Sequence, residues 1–501
     1  MPTDRARPER PAHLTSITHV WAVGYPLFTY RREERMLDTR FDDLHLIIPQ
    51  ITAPRILCIN DGYSWSLPKI TIPLVPSDHR WRDVTRINHA VLEHLGINVI
   101  TLEAVYVSPY PAPEEHGSAV FVVELRSLNW GVPDGGQWID REALADLHLA
   151  LPEHQPALDT WFDSRQADAR LTLPWTQAGW FDAAATWMHT QCQAHELVAT
   201  GEVEQVRSWF LSCVLRMSTA MGDQYLKAAP PMYAHEPRLT QVLAARYPTL
   251  VPQVLAVDAE RRWLLMEGIR GVRLDQYPDS ARYTSAWMQL LQSFAYMQRD
   301  FTAHVDQLLA LGCPDWRLDR LATAIDPFFL SLPSILRDGD TALSSAEWQE
   351  LRAVAPRLKA MCLELDQIGI PPSLHHGDFH SGNILANDTV CKLIDWAGFV
   401  GVTHPFLSLW VVFEEHENGH TWERLRDQYL EIWQAYAPPN QLRAAIKLAL
   451  PIAAWCGALG HRTQLEQAIT RIPWDVQGEQ DSMLSCLRRM VALLQNDITS
   501  S

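Results

Sequence analysis

The stretch of sequence that decides the fold is LHHGDFHSGNILANDTVCKLIDWAG, residues Leu374–Gly398. Asp378 and Asn383 are five residues apart on a predicted loop, and Asp395 follows the apolar strand predicted at Lys392–Ile394. Phosphoryl transfer needs this combination of a carboxylate that aligns a substrate hydroxyl and hard oxygen ligands for Mg²⁺. We therefore interpret Asp378 as the group that takes the hydroxyl proton, and Asn383 and Asp395 as metal ligands.

The same stretch resembles the aminoglycoside phosphotransferase and choline kinase-like family, whose catalytic loop reads HGDxHxxN and whose metal aspartate lies in an IDW motif. Both motifs are complete, as HGDFHSGN at 376–383 and IDW at 394–396. An Asp–Asn pair that merely forms turns is the alternative interpretation, but it does not account for two blocks at the family's spacing. The resemblance covers 201–501 and implies ATP and Mg²⁺ as cofactors, with His376 as a further catalytic-loop residue.

The pattern of predicted elements agrees with a bilobal protein-kinase-like fold, which is of the α+β class. Gly201 opens a strand-rich stretch, and almost everything after Leu274 is typical of helices, apart from a β-like segment at Ser373–Trp396. We predict a separate α+β domain at 1–165, a linker with a helix at 166–200, a small lobe at 201–270 and a large helical lobe at 271–501. Residues 1–40 are Arg-rich and are interpreted as an arm.

The resemblance also implies a lysine on the third strand of the small lobe and a glutamate on the next helix. Lys227 ends the third predicted strand and is one of only five lysines in a chain with 42 basic residues. Glu236 begins the next predicted helix, although Pro237 allows the alternative that Glu236 merely caps it. We expect Lys227 to contact the α- and β-phosphates and Glu236 to hold its ammonium. A solvated surface lysine is the alternative for Lys227.

The hairpin expected to cover the nucleotide departs from the usual pattern because VRSWFLSCV, residues 206–214, contains no glycine. Members of the family often have a serine or asparagine there, so Ser208 or Ser212 is a candidate phosphate donor. The adenine is expected to lie against the strand that ends at Met266 and to bond the backbone between Glu267 and Ile269.

Two further segments of the large lobe bear on the substrate and on the support of the catalytic loop. Ser408 stands where the family commonly has a buttressing aspartate, which we interpret as a change in support rather than a loss of chemistry. Phe413–Glu417 forms either an acidic patch for a cationic amine or a solvated helix face.

Residues 44–162 resemble a Nudix domain more loosely. Laying Gly96-Ile97 on the end of the family's metal-binding box leaves only Glu93 of its carboxylates, with Ala90 and Trp81 at two of the others. We therefore predict a Nudix-like fold without hydrolase activity. An unrelated α+β domain, and hydrolysis of a nucleoside diphosphate, are the alternatives.

The composition of the chain limits the kinds of partner that it can bind. The net charge of −17 opposes nonspecific binding to nucleic acid or to an anionic membrane. The eight cysteines form no CxxC pair, and no apolar run of membrane-spanning length is found, so we expect a cytoplasmic protein.

The predicted function is ATP- and Mg²⁺-dependent phosphorylation of a hydroxyl on an aminoglycoside-, choline- or sugar-like molecule. A nucleotide-binding pseudokinase is the alternative, and neither the acceptor nor the oligomeric state follows from the sequence.

Overall fold

A computed structural model describes most of the chain. The residues it describes are 40–75, 80–108, 116–126, 130–164, 173–277, 280–336, 343–387, 389–417, 420–471 and 476–499. The predicted N-terminal arm at 1–40 lies almost wholly outside these residues.

The first part of the chain is an α+β unit built on a four-stranded sheet. Its strand order is β4-β1-β6-β5, with β1 and β6 parallel and the other pairs antiparallel. A second sheet has the order β3-β2-β7. The bounds are β1 Phe41–Ile47, β2 Ile56–Asn60, β3 Trp65–Ser66, β4 Lys69–Pro73, α1 Val84–Leu95, β5 Val99–Val107, β6 Ser118–Leu125, β7 Gly136–Ile139, α2 Arg141–Ala145 and α3 Gln155–Ser164.

The apolar spacing of residues 81–95 predicts a helix that stops at Gly96, and α1 covers most of this range, although Leu92, expected on the apolar face, is exposed. Val84, Ile87 and Val91 are buried on one face, and the helix ends at Gly96, whose φ of 68° suits a residue without a side chain. The mixed sheet and single long helix neither establish nor oppose the Nudix resemblance, which stays a prediction. Glu93, the one carboxylate left in the box, is exposed.

The small lobe is a five-stranded antiparallel sheet of order β11-β12-β10-β9-β8. Its third strand carries Lys227, as predicted. The bounds are α4 Trp180–Ala194, β8 Ala199–Trp209, β9 Ser212–Thr219, β10 Gly222–Ala228, α5 Glu236–Arg246, β11 Val254–Asp258 and β12 Trp263–Glu267.

The large lobe is mainly helical and carries two small sheets, β13-β15-β16 and β14-β17, which hold the catalytic segment. The two-lobed α+β architecture predicted from the sequence is therefore confirmed. The bounds are β13 Val272–Arg273, α6 Ser280–Phe301, α7 Val305–Ala310, α8 Leu318–Ile335, α9 Ser345–Asp366, β14 Ser373–His375, β15 Ile384–Ala386, β16 Cys391–Leu393, β17 Gly401–Thr403, α10 Leu409–His416, α11 His420–Glu431, α12 Pro439–Arg471 and α13 Val476–Thr499.

One stretch of α12, Pro439–Glu466, is long and apolar enough to cross a membrane, judged by length and composition within the described residues. Two thirds of its most apolar window, 67%, is buried inside the protein. Ala449, Ala453 and Trp455 belong to the main core of the large lobe, together with residues of α13. The apolar character of α12 is therefore explained by its place in the core.

A second core joins the first unit to the small lobe. It contains Ile47 and Val120 from the first sheet, Met188 from α4, and Leu215 and Leu226 from the small-lobe sheet. The predicted linker at 166–200 thus includes a helix, α4, whose apolar face is packed on the small lobe. The helix is held there by contacts of its Trp side chains with Trp263.

Candidate active site

The predicted lysine and its carboxylates meet inside the cleft between the lobes. Lys227 is 6% exposed, and its Nζ lies 2.6 Å from Glu236 Oε1 and 2.7 Å from Asp395 Oδ1. Burial lowers the pKa of Lys227, but the two carboxylates outweigh burial and raise it above the usual value. The ammonium is therefore charged and held at the base of the cleft.

Glu236 is the first residue of α5, preceded by His235, whose side chain makes no capping bond. Pro237 therefore occupies a position early in the first turn, where its missing N–H is harmless. The carboxylate of Glu236 points to Lys227 rather than to the helix end. The structure thus favours the predicted ion pair over the capping alternative.

Asp378 and Asn383 are locked together on the catalytic loop. The Asn383 side-chain amide donates to the backbone carbonyl of Asp378 and to its Oδ2, both at 2.9 Å. The carbonyl of Asn383 accepts from the backbone N–H of Ile394 at 3.0 Å, which ties the loop to the strand that leads to Asp395. Short strands β15 and β16 therefore bring the three oxygen-bearing side chains into one site.

His376 shapes this loop from within. It is fully buried, its Nδ1 accepts from the N–H of Asp378 at 3.3 Å, and its Nε2 lies 3.0 Å from the carbonyl of Ile394. Burial lowers its pKa, so the ring is neutral with the proton on Nε2. Because both ring nitrogens are used within the protein, the structure assigns His376 the part of a positioning residue, although the sequence grouped it with the catalytic residues.

Among the described residues, three buried oxygen atoms at the site have no hydrogen-bond partner: Thr240 Oγ1 in the cleft wall, Asn383 Oδ1 and Asp395 Oδ2. Leaving such atoms unpaired is costly, and the last two belong to the residues that the sequence predicts as metal ligands. The backbone of Asp395 has φ 66°, a strained conformation of the kind that is concentrated at functional sites. The described residues contain no group of three or more His, Cys, Asp or Glu that could hold a metal. Carboxylate and amide oxygens nevertheless fit Mg²⁺, which keeps several waters and phosphate oxygens among its ligands.

A small cleft lies beside Lys227 between the two lobes. Its walls are mostly apolar, as a site for a flat heterocycle requires. The lining residues are Val214, Lys227, Glu236, Thr240, Pro252, Leu264, Met266, Ile394, Asp395 and Trp396. Met266 is thus in the wall where we expected it. Val214, Leu264 and Ile394 were not identified from the sequence, because only strand register brings them together.

The backbone that follows β12, where we expected the adenine to bind, already makes hydrogen bonds within the protein. The N–H of Glu267 donates to the carbonyl of Gln253 at 3.0 Å, and that of Gly268 donates to Asp223 at 2.7 Å. The adenine-binding prediction for this stretch therefore depends on Ile269, whose side chain is buried among residues of the cleft wall.

The hairpin serines require a correction, because neither hydroxyl is directed at the cleft. Ser208 Oγ donates to the carbonyl of Leu102 at 3.0 Å, and Ser212 Oγ accepts from the Trp209 indole at 2.9 Å. Both serines are buried, and Ser208 makes its bond to β5 in the first unit. The hairpin is thus packed against the first unit rather than presenting these hydroxyls to phosphate.

The acidic stretch Phe413–Glu417 does not present three free carboxylates. Glu414 and Glu417 both pair with Arg489, while Glu415 accepts from the Tyr283 hydroxyl at 2.6 Å and from the Ser381 N–H at 3.0 Å. These contacts give the stretch a structural role beside the catalytic loop, so it does not support a cationic acceptor.

Ser408 takes part in a neutral network that supports β14. Its Oγ lies 2.9 Å from His375 Nδ1 and 3.0 Å from Gln298 Nε2. Gln298 is fully buried, also donates to the carbonyl of Leu374 at 2.8 Å, and accepts from the Tyr429 hydroxyl at 2.6 Å. Ser408 therefore supports β14 through hydrogen bonds, while its replacement of a family aspartate stays a prediction. The part of Gln298 was missed because nothing local in α6 signals it.

The fold and site together define a two-lobed phosphotransferase-type domain. Residues 214–446, slightly less than half of the chain, match the family model described as phosphotransferase enzyme family. The resemblance on which the sequence analysis relied is confirmed for this region, whereas the Nudix-like resemblance is not.

Individual relatives are more distant. A methylthioribose kinase of Bacillus pumilus (strain SAFR-032) is 29% identical over 119 residues. The match spans 22% of this chain and less than a third, 29%, of that kinase. Among solved structures, a choline kinase from Streptococcus pneumoniae gives a TM-score of 0.41 at 12% identity, covering 61% of this chain and 99% of that one. A choline/ethanolamine kinase family protein from Mesorhizobium loti gives 0.39 at 15%, with 59% and 92% covered.

Proposed function

We propose that the protein transfers the γ-phosphoryl group of ATP to a hydroxyl group of a small molecule, with Mg²⁺ as cofactor. The observation that carries this proposal is the buried set in which Lys227 is held between Glu236 and Asp395. The match of residues 214–446 to a phosphotransferase family supports the same class of reaction, and the partial likeness to a methylthioribose kinase agrees with a small acceptor.

Each side chain has a definite task in this proposal. Lys227 binds the nucleotide phosphates, and Glu236 keeps its ammonium aimed at them. Asp378 aligns the acceptor hydroxyl and takes its proton. It can do so because its carboxylate is negatively charged and accepts the hydrogen bond of the hydroxyl. Asn383 fixes Asp378 through its amide nitrogen and turns its oxygen toward the triphosphate.

Asn383 Oδ1 and Asp395 Oδ2 would hold Mg²⁺, which neutralises charge on the phosphate oxygens when it is bound. His376 acts on none of the reacting atoms but fixes the N–H of Asp378. The cation, the nucleotide and the acceptor are all parts of the proposal.

The acceptor is proposed only as a small molecule with a hydroxyl group. The catalytic loop is bordered by Tyr283 and Glu415, which are hydrogen-bonded to each other. A polar acceptor suits such a border better than an apolar one, because its hydroxyl groups can replace water as hydrogen-bond partners. The pairing of the neighbouring glutamates removes the argument for a positive charge.

The test is an ADP-release assay with Mg²⁺ and ATP against aminoglycosides, choline, ethanolamine, homoserine and sugars. Removing a general base typically costs about 10²- to 10⁴-fold in rate, so Asp378→Asn should abolish most of the acceptor-dependent ADP release. Thermal-shift titration of the same variant with MgATP should still show stabilisation, since Asp378 is not proposed to bind nucleotide.

Two results would contradict the proposal. If Asp378→Asn releases ADP as fast as the unaltered protein, the assignment of Asp378 fails. If MgATP stabilises the protein but no acceptor in a wide panel gives ADP above background, a nucleotide-binding pseudokinase replaces the kinase.

A further inference from the structure

The nucleotide-covering hairpin carries a buried cation that the proposed function has not used. Arg207 lies on β8 and is only 2% exposed. Its Nη1 is buried and has no hydrogen-bond partner among the residues that the structure describes. Arginine is almost never fully buried unless paired, so this unpaired donor nitrogen requires an explanation.

Strand register places Arg207 on the face of the sheet that forms the cleft. Arg207 is opposite Val214 on β9, Val214 is opposite Lys227 on β10, and Lys227 is opposite Leu264 on β12. Directly opposed residues project from the same face of an antiparallel sheet. The other three members of this row all line the cleft, so the guanidinium of Arg207 projects toward the same space.

A bulge in β8 agrees with this direction. The pairing with β9 shifts between Gln205 and Arg207, so Val206 is the extra residue. Val206 packs against the apolar cluster of Val214, Leu264 and other cleft residues, whereas Gln205 bonds the first unit. The bulge therefore divides β8 between a face that binds the first unit and a face that covers the cleft.

The charges around Arg207 fit a polyphosphate. Burial and the nearby Arg82 lower the pKa of Arg207 to about 9, and the carboxylate of Asp395 acts in the opposite direction. The guanidinium is thus charged at neutral pH. The charged groups near it are the guanidiniums of Arg82 and Arg273 and the carboxylates of Asp395 and Asp83, and Asp395 is already paired with Lys227. A ligand with several negative oxygens in the cleft would supply the hydrogen-bond acceptor that Arg207 Nη1 lacks and would bind its positive charge.

The first unit fixes the strand that carries Arg207. Gln205 exchanges two hydrogen bonds with the backbone of Thr101 on β5, at 2.8 and 3.0 Å, and accepts a third from Asn88 on α1 at 3.1 Å. Asp83 bridges the backbone of Arg207, and the guanidinium of Arg82 lies 4.0 Å from the Trp209 ring. A glycine lets the backbone of a hairpin approach phosphate. This hairpin needs none, because the side chain of Arg207, on a strand fixed by the first unit, can reach the phosphate instead.

We propose that Arg207 binds the phosphate groups of the nucleotide, and that the N-terminal unit, through Gln205, is the part of the protein that positions it. This inference rests on the proposed function, because it names a further binding residue of the same site. The ligand class is a nucleoside polyphosphate rather than a nucleoside, because the guanidinium recognises the anionic oxygens.

The experiment compares Arg207→Met with the unaltered protein by calorimetric titration of MgATP and of adenosine. Losing a charge-assisted hydrogen bond should weaken MgATP binding about tenfold to hundredfold and leave adenosine binding unchanged. Arg207→Lys should recover part of the loss, and its ATP affinity should decline more steeply with salt concentration than that of Arg207→Met, because it keeps the charge. Arg261→Met is the matched control, since the Arg261 side chain is 58% exposed and pairs with Asp258 away from the cleft.

Gln205→Met tests the positioning part. It should weaken MgATP binding in the otherwise normal protein, but should add little once Arg207 is already Met, because the two changes act on one contact. Effects that simply add in the double variant would overturn the positioning role.

The outcomes separate this inference from the proposed function. If the unaltered protein binds MgATP and both Arg207 variants, shown to be folded by circular dichroism, bind it equally well, the inference about Arg207 fails alone. Equal losses for MgATP and adenosine also overturn it, because they indicate a general change in the cleft. If the unaltered protein binds no MgATP, the proposed function and the inference fail together.

Discussion

Asp378 is kept as a carboxylate by its immediate surroundings. Burial raises its pKa, but the charge of His380 and the hydrogen bonds of the loop outweigh burial and lower the pKa to about 2. His380 Nε2 lies 3.6 Å from Asp378 Oδ1, and the pKa of His380 is correspondingly raised. An ionised carboxylate of this kind is a weak base that orients a hydroxyl and receives its proton late in the reaction.

The signs of the two shifts define a pH window for the pair. The lowered pKa of Asp378 contributes stability above its unfolded value of about 3.9, and this is lost as pH falls toward 2. The raised pKa of His380 contributes stability below about 6.5, which is lost as pH rises through the folded value. The pair is therefore strongest between about pH 4 and pH 6.5.

Replacing His380 should shift the acid limb of the reaction. In His380→Gln the burial of Asp378 is no longer offset by a positive charge, so we expect the pKa of its carboxyl to rise. Because the ionised form is the active one, kcat/KM should begin to fall at a higher pH than in the unaltered protein. ADP release measured from pH 4 to pH 8 checks this, with exposed His89→Gln as control. An acid limb that stays in place would exclude the electrostatic role of His380.

Lys227 provides a stability prediction at the same scale. In Lys227→Met the buried Glu236 and Asp395 lose their shared cation, and breaking a buried ion pair in this way costs about 3–5 kcal/mol in the free energy of unfolding. The loss should be larger at pH 8 than at pH 5, because burial raises the pKa of Glu236 to about 7 and its carboxyl can take up a proton at the lower pH.

Urea denaturation at the two pH values measures the effect of Lys227→Met. Lys359→Met is the control, since Lys359 pairs with Asp326 at the surface, where an ion pair is worth at most about 1 kcal/mol. Equal losses in both variants would show that the buried pair is no stronger than a surface pair.

Among the elements, the short strands of the large lobe depend on side chains from distant helices. β14 carries the chain into the catalytic loop, and its position is maintained by the network of Gln298 and Ser408. This network is neutral throughout: burial lowers the pKa of His375 to about 3, so its ring is uncharged. Because the network carries no charge, the hydroxyl of Ser408 fits into it. A buried carboxylate at this position would need a positively charged partner.

Ser408→Ala should weaken this support. It leaves His375 Nδ1 and one bond of Gln298 without a partner, which costs about 1–3 kcal/mol of stability for a buried polar group. We expect a lower Tm and a kcat that falls with little change in KM for ATP, since the nucleotide cleft is untouched. Ser293→Ala on α6 serves as control, because its hydroxyl bonds within its own helix. A normal Tm in Ser408→Ala would show that water replaces the hydroxyl.

The elements also show what a single sequence can and cannot predict. The start of helix α5 at Glu236 was predicted correctly, because apolar spacing marks the helix. Ser208 on β8 and Ser212 on β9 were misplaced because the two faces of each strand look alike in the sequence, and only the elements packed on the sheet decide which face is covered. Gln298 was missed for the same reason, since its partners are about 75 residues or more away.

At the scale of the whole molecule, the described residues of the first unit and of the small lobe share one hydrophobic core. Ile100 of β5, Met188 of α4 and Leu215 of β9 belong to one core. Burial of apolar surface in a shared core couples the stabilities of the parts that supply it. A fragment that ends near residue 165 would expose half of that core, so the isolated first unit is not a good test object.

Hydrogen exchange of the full chain can test this coupling. We expect the amides of β5 and β9 to exchange with the same free energy of opening, because the two strands unfold together. Helix α11, outside this core, supplies the reference. Exchange in β5 that is much faster than in β9 would show that the first unit opens by itself.

The packing of the hairpin has a consequence for nucleotide traffic. Phe210 and Leu211, at the tip between β8 and β9, are each only 2% exposed. A hairpin tip buried in this way cannot move away from the cleft unless its packing in the core is broken. Under the proposed function, ATP must then enter and ADP must leave through the gap between the lobes. The first unit and the small lobe should therefore move together as one rigid body.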